Sequence, residues 1–313
     1  MSPRWRKLGN VYTPSSVALH PKLRSHAANP LPVRISGNEY RVFYSGRDEF
    51  NRSSVGAVDI DIACRRVIAV HETPFFEHGA AGSFYEAGVS IGNCYTAGGS
   101  RYILFMGWQQ PAGAHWRGDI GRLVLSSDWT LTLASPLPFM AADEIDPVSL
   151  SYPWVSGSDQ DGFRMWYGST LTWDAGNGEM LHVLRAASSL DGHHWSKQGV
   201  AIPYALGVAQ AFSRPTVLRS PDGRYEMWFS YRSGAGEKYR VGYAHSEDGA
   251  TWTCDYRYAG ITVSADGWDA EMVEYPFVWE HEGETYMLYN GNGHGLTGFG
   301  LAVLERGERG TRG

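Results

Sequence analysis

Four ionisable residues stand where charge is otherwise scarce, and their surroundings specify the chemistry they could do. Glu86 lies in Ser83-Phe84-Tyr85-Glu86-Ala87-Gly88, and Glu274 lies in Met272-Val273-Glu274-Tyr275-Pro276. A carboxyl among apolar neighbours is pushed up toward the range of a usable general acid. A second carboxylate nearby could then activate water or attack directly. Each Glu has a second reading, as a hydrogen-bonding link between neighbouring structural units. Asp146, in Glu144-Ile145-Asp146-Pro147, is either a third carboxylate of the set or a turn residue, since Asp-Pro commonly opens a turn. Arg214 precedes Pro215 at a strand start. A cation buried there is costly unless it pairs with an anion, so the sequence places it at the floor of a pocket, within reach of Glu86, Glu274 or a bound anion.

What brings these residues together is a repeat. An aromatic or apolar pair followed by a small or polar residue recurs at Phe43-Tyr44-Ser45, Phe105-Met106-Gly107, Trp166-Tyr167-Gly168, Trp228-Phe229-Ser230 and Leu288-Tyr289-Asn290, its middle member advancing by 62, 61, 62 and 60 residues. Upstream of each lies a strand start carrying Pro or Gly: Asn29-Pro30, Ala87-Gly88, Tyr152-Pro153, Arg214-Pro215 and Tyr275-Pro276. Downstream come a third strand, as in Val241-Gly242-Tyr243-Ala244, and a fourth announced by Ser188 to Trp195 and Ser246 to Trp252. Four strands per period and five periods predict an all-β chain: a five-bladed β-propeller of four antiparallel strands per blade, one domain over residues 1–304 with a disordered tail at 305–313. Trp166, Trp195, Trp228 and Trp252 belong to the repeat and are assigned to the core.

A propeller's inner strands line its central channel, and Pro is tolerated at a strand's first residue. The residues at the markers therefore crowd one funnel: His26 and Asn29, Tyr85 and Glu86, Asp146 and Tyr152, Ser213 and Arg214, Glu274 and Tyr275. Loops after the second strands should rim it with Arg47, Asp48, Trp108, Gln109, Tyr231, Arg232, Asn292 and His294, and Glu271 joins them from the last repeat. Aromatic faces bordered by forked polar groups suit a sugar ring. For Trp108, pocket and core readings stand level.

Composition narrows the classes. The 313 residues carry 12 Trp, 18 Tyr, 12 Phe and 38 Gly, as many aromatic, turn-separated strands require. A net charge of −6 and the lack of a Lys/Arg cluster argue against nucleic acid as a partner. No apolar run spans a bilayer and no apolar segment follows the basic residues of Met1 to Ser16, so a cytoplasmic location is expected and a membrane partner is not. Cys64, Cys94 and Cys254 are odd in number and widely spaced, which predicts free thiols. No ligand spacing for a transition metal exists and no cofactor is expected; a structural calcium ion held by oxygen ligands would leave no mark in sequence. The oligomeric state stays open.

The stretches Asp222-Gly223-Arg224-Tyr225-Glu226-Met227-Trp228-Phe229-Ser230-Tyr231 and Tyr239-Arg240-Val241-Gly242-Tyr243-Ala244-His245-Ser246, with Trp268-Asp269-Ala270-Glu271-Met272-Val273-Glu274-Tyr275-Pro276-Phe277, resemble the five-bladed glycosidase superfamily that includes glycoside hydrolase families 43, 32, 68 and 130. The likeness covers roughly residues 24 to 304, and its last repeat is similar to glycosidase-like proteins found with bacterial surface-polysaccharide genes. It implies an enzyme that cleaves or transfers a glycosidic bond of a sugar or glycan in the funnel, for which the residue reading above offers Glu86, Glu274 and Asp146 as acids. The chain departs from the superfamily pattern: Asn29 stands where the first repeat of families 43 and 32 supplies an Asp, the second offers Glu86 for an Asp, and the third Asp146 for a Glu. Two alternatives follow, a phosphorylase needing one acid and a basic cluster drawn from Arg214, Arg232 and His294, or a glycan-binding propeller without catalysis.

Overall fold

A computed structural model describes residues 3–15, 20–220, 222–234, 237–256 and 258–305. The chain is nearly all strand. The antiparallel groups are β2 (Ser25–Ser36), β3 (Glu39–Arg47), β4 (Ser53–Asp61) and β5 (Arg66–Val70); β6 (Gly88–Ala97), β7 (Ser100–Gln109), β8 (Arg117–Leu125) and β9 (Leu131–Leu133); β10 (Ser149–Ser158), β11 (Gly162–Thr172), β12 (Leu181–Ser189) and β13 (Ser196–Val200); and β14 (Ala211–Arg219), β15 (Tyr225–Arg232), β16 (Arg240–Ser246) and β17 (Thr253–Asp255). The last group joins both ends of the chain: β18 (Glu274–His281), β19 (Glu284–Asn290) and β20 (Phe299–Leu304) are completed by β1 (Trp5–Tyr12), which pairs antiparallel with β20. Within the expected tail, Glu305 donates its backbone N–H to the Arg4 carbonyl and its carboxylate meets Arg4 and Arg6; residues 306–313 lie outside the described residues.

The first strands of successive groups stand side by side, β2 by β6, β6 by β10, β10 by β14, β14 by β18, and β18 again by β2. Each second strand is packed on both faces, which is why its marker is a continuous aromatic or apolar pair rather than an alternating pattern. Phe43, Phe105, Trp166, Trp228 and Leu288 are fully buried. The third-strand glycines are dictated by the ring laid across them: a Cβ on Gly121 would sit 2.1 Å from the Phe105 ring, and one on Gly242 2.4 Å from that of Phe229.

The inner strands share a kink. Asn29, Tyr152, Arg214 and Tyr275 all take left-handed φ angles, 56°, 39°, 46° and 51°, directly before a proline, and the pairing register to the second strand slips at each. A non-glycine residue held there costs on the order of 1–3 kcal/mol and persists only where its surroundings enforce it. At two of the four a side chain of the preceding group holds the kinked N–H: that of Asn29 donates to Asn290 Oδ1 at 2.8 Å and that of Tyr275 to Ser230 Oγ at 2.7 Å. The same bond in the second repeat runs from the Ile91 N–H to Ser45 Oγ at 3.1 Å. The second marker is therefore Ile91-Gly92 and not Ala87-Gly88. The positions become 29, 91, 152, 214 and 275, spaced by 62, 61, 62 and 61. Glu86 falls outside the inner strand and loses the positional reason for placing it in the funnel.

Candidate active site

A cavity of about 350 Å³ opens where the inner strands converge, and every group contributes to its wall. The residues just before the kinks are Ala28, Ser90, Ser151, Ser213 and Glu274. Four are small and line the cavity; the fifth is a fully buried carboxylate beneath its floor. Small residues at four equivalent positions make the space, and the fifth supplies the charge.

Glu274 meets the cavity through His294. The His294 Nδ1 lies 3.1 Å from Glu274 Oε2 in hydrogen-bonding geometry, and the imidazole lines the cavity. Burial raises the Glu274 carboxyl above its ordinary range, and the nearby His294, Arg47 and Arg232 pull it partly back. His294 itself holds a left-handed φ of 57° in the Asn292–Gly295 turn, with the rings of Tyr239 and Tyr275 beside it.

Two arginines face the same space. Arg47 donates to Asn51 Oδ1 at 2.7 Å and has no carboxylate partner among the described residues. Arg232 is held by Glu179 at 2.8 Å and lies over the Tyr239 ring. No Asp or Glu lines the cavity among the described residues. Tyr152 and Tyr275 form part of the floor, their hydroxyls 3.4 Å apart, and Trp108 is pinned by donation from Nε1 to Ser53 Oγ at 3.0 Å. Asn29 Oδ1 and Ser213 Oγ are buried at the wall without a hydrogen-bond partner among the described residues. Buried polar atoms of this kind call for water or a ligand.

Of the residues expected in the funnel, Asn29, Arg47, Trp108, Tyr152, Ser213, Arg232, Tyr275 and His294 line it. His26 stands behind that wall; burial, with Arg47 and His294 beside it, lowers its imidazole to about 4. The others do different work. Arg214 is 2% exposed and is not at a carboxylate: its guanidinium donates to the carbonyls of Pro30 at 2.7 Å and Ile91 at 3.2 Å, tying β14 to β2 and β6. Burial pushes it down to about 9, still a cation at neutral pH. The Glu86 carboxylate accepts the Gly82 N–H and closes its own loop. Asp146 is fully buried between Arg185 at 3.0 Å and Lys197 at 2.7 Å, and also accepts from the Tyr167 hydroxyl at 2.9 Å, away from the cavity wall. Asp48 caps a turn through the N–H groups of Phe50 and Arg52 and pairs with Arg52. Tyr231 donates to the Tyr256 carbonyl, Asn292 accepts the N–H groups of Glu271 and Met272, and the Glu271 side chain is exposed toward Lys238.

Sequence reading missed Ser151, His182, Tyr239 and Trp116. Ser151 Oγ lies 2.7 Å from His182 Nε2, whose Nδ1 lies 2.6 Å from Thr170 Oγ1; burial, helped by the Arg232 charge, lowers His182 to about 3, so it is a neutral imidazole. Ser151 was readable as the equivalent of Glu274. His182 carries no such mark, because it comes from a third strand. Among the described residues no three His, Cys, Asp or Glu side chains are grouped to hold a metal ion, no helix is long and apolar enough to cross a membrane, and the three cysteines are free.

No family model matches the chain. The uncharacterized proteins Rv1502 and MT1551 of two Mycobacterium tuberculosis strains are 45% identical to it over 305 residues, covering 96% of this chain and 99% of theirs. Among solved structures, a glycosyl hydrolase from Bacteroides ovatus shares 12% identity with a TM-score of 0.74, over 97% of this chain and 94% of that one. A structure described under the GH130 family of mannoside phosphorylases, containing hydrolases that target β-1,2 mannosidic linkages in Candida mannan, shares 11% identity with a TM-score of 0.71 over 97% and 94%. The fold is that of these glycoside hydrolase-like propellers.

Proposed function

The chain belongs to the family of the mycobacterial protein Rv1502, and from its cavity we propose that it is a carbohydrate-active enzyme transferring a glycosyl group to an anionic acceptor, inorganic phosphate in the simplest case. In this reading residues 1–304 are one five-bladed ring, and the cavity on its axis is the active site. The observation that carries it is the pairing of one buried carboxylate, Glu274, with His294, with Arg47 and Arg232 lining the same cavity and no carboxylate in its wall among the described residues. Two-carboxylate hydrolysis needs a second acid about 5–10 Å from the first. Glu86 and Asp146 are both committed elsewhere.

Phosphate needs no general base. Its oxygen forms the new bond to the anomeric carbon as the glycosidic C–O bond breaks. The proton held by Glu274 and His294 passes from the imidazole to the leaving oxygen, and the proton of the phosphate restores the pair. Glu274 is then a positioning residue and His294 the group that meets substrate. Arg47, bonded only to the neutral Asn51 amide and to no carboxylate among the described residues, offers its guanidinium for the anion. Arg232 adds charge beside it.

The test is turnover of a panel of disaccharides with and without inorganic phosphate, reading sugar 1-phosphate and free sugar. Product that forms only with phosphate, and that falls at least 100-fold in Glu274→Gln and His294→Ala, is expected. Phosphate-independent hydrolysis surviving in both variants would overturn the assignment. Binding without any turnover would leave a glycan-binding propeller instead.

A further inference from the structure

The tryptophans divide into two populations. Of the 12, nine (Trp5, Trp129, Trp154, Trp166, Trp195, Trp228, Trp252, Trp268 and Trp279) belong to or pack against the hydrophobic clusters inside the groups. The three that do not are Trp108, Trp116 and Trp173. Trp108 and Trp116 line the cavity, and Trp173 stands edge-on to Trp116 with centroids 4.8 Å apart. His115 stacks on the Trp173 face at 4.7 Å and 22°. All three of these outer rings come from loops, 110–116 between β7 and β8 and 173–180 between β11 and β12.

We propose that Trp116, Trp173 and His115 form a second saccharide subsite at the mouth of the cavity, so that the natural substrate is an oligosaccharide or glycan and not a single sugar. This rests on the reading of the cavity as a sugar site. Burying an indole stabilises a fold, so a ring left half-buried at a polar cavity gains most from a ligand whose own face is apolar, and the carbon face of a pyranose is such a surface. The cavity, about 350 Å³, is near the small end of ligand sites. A further ring must leave through the mouth, where these aromatics stand.

The platform is also mechanically tied to the anion side of the site. The loop carrying Trp173 is folded by Asp174, whose Oδ1 accepts the N–H groups of Gly176 and Gly178, and by the Ala175 N–H donating to the Glu179 carbonyl. Glu179 in turn holds Arg232. The far ring and the charged wall are thus set by one loop.

Saturation-transfer NMR with methyl glucoside, methyl mannoside and methyl galactoside, each against its methyl disaccharides, reads the subsite without needing turnover. At least one disaccharide should bind tenfold or more tighter than its single-ring counterpart. Trp173→Ala should reduce that advantage to within threefold while single-ring binding persists, and Trp173→Tyr should keep most of it. Equal binding of one and two rings, or an advantage untouched by Trp173→Ala, overturns the platform. Failure of every sugar to bind the unsubstituted protein overturns instead the reading of the cavity on which the platform rests.

Discussion

Replacing Arg214 separates a strut from a ligand contact. The guanidinium donates to two buried carbonyls on two other inner strands, Pro30 and Ile91, and touches no carboxylate among the described residues. Each carbonyl left unsatisfied costs about 1–3 kcal/mol. Arg214→Ala removes both donors and opens a void on the axis; relief of one buried charge offsets part of that, so a net loss of about 2–5 kcal/mol is expected. Arg214→Lys keeps the charge but loses the planar fork, and its compact ammonium satisfies one carbonyl well, for a loss of about 1–3 kcal/mol. Against a total stability of about 5–15 kcal/mol these are large fractions. Urea unfolding followed by tryptophan fluorescence reads both, with the slope of the transition checked for constancy. Ligand affinity of the folded protein should move little, because the guanidinium lies below the cavity wall. An unchanged midpoint together with lost sugar or phosphate binding would refute the strut and return Arg214 to the site.

Two further outcomes test the buried charges. His182 is lowered from 6.5 to about 3, so the unfolded chain binds a proton the folded one refuses; its contribution to stability is full above about pH 6.5 and falls as pH drops toward 3, by about 2 kcal/mol at pH 5, and His182→Asn should shrink the difference between urea midpoints at pH 7 and pH 5 by about that amount, leaving the share of His26, itself lowered to about 4. Asp146→Asn strands Arg185 beside a neutral amide, while Lys197 keeps Asp143, and should cost about 3–5 kcal/mol of stability in thermal or urea unfolding, with sugar binding unchanged in the folded protein.

The fold was legible because a period near 61 is a property of packing. Each unit must bury the same pair, so Phe43-Tyr44, Trp166-Tyr167 and their equivalents repeat, and four of the five set a third-strand glycine against a ring. The site was legible where it reuses that period: Asn29, Tyr152 and Tyr275 sit at the kink, and Glu274 sits one residue before it. The reading failed at the second repeat, whose kink lacks proline. Ala87-Gly88 imitates the marker, and the deciding bond from Ile91 to Ser45 joins residues of different repeats. Arg214 and Asp146 misled for a related reason. A buried charge announces that it has partners but not which ones, and carbonyls or a neighbouring Arg and Lys satisfy it as well as a catalytic carboxylate would. Trp116 and His182 come from a loop and a third strand, where no periodic position marks a residue as axial.

The seam between β1 and β20 imposes an order of events during synthesis. Trp5 pairs with Leu304, so the first strand leaves the ribosome with no partner until about 300 residues have followed, about 15–60 s at ordinary elongation rates. Through that interval β1 is an unpaired edge, a template open to other chains. Its polar and charged members, Arg6, Lys7 and Asn10, reduce that hazard, while Trp5 waits to be covered by Trp228. Arrival of β20 therefore commits the molecule late and at once: Lys7 reaches Asp269, Glu305 reaches Arg4 and Arg6, and a nascent chain becomes a closed ring.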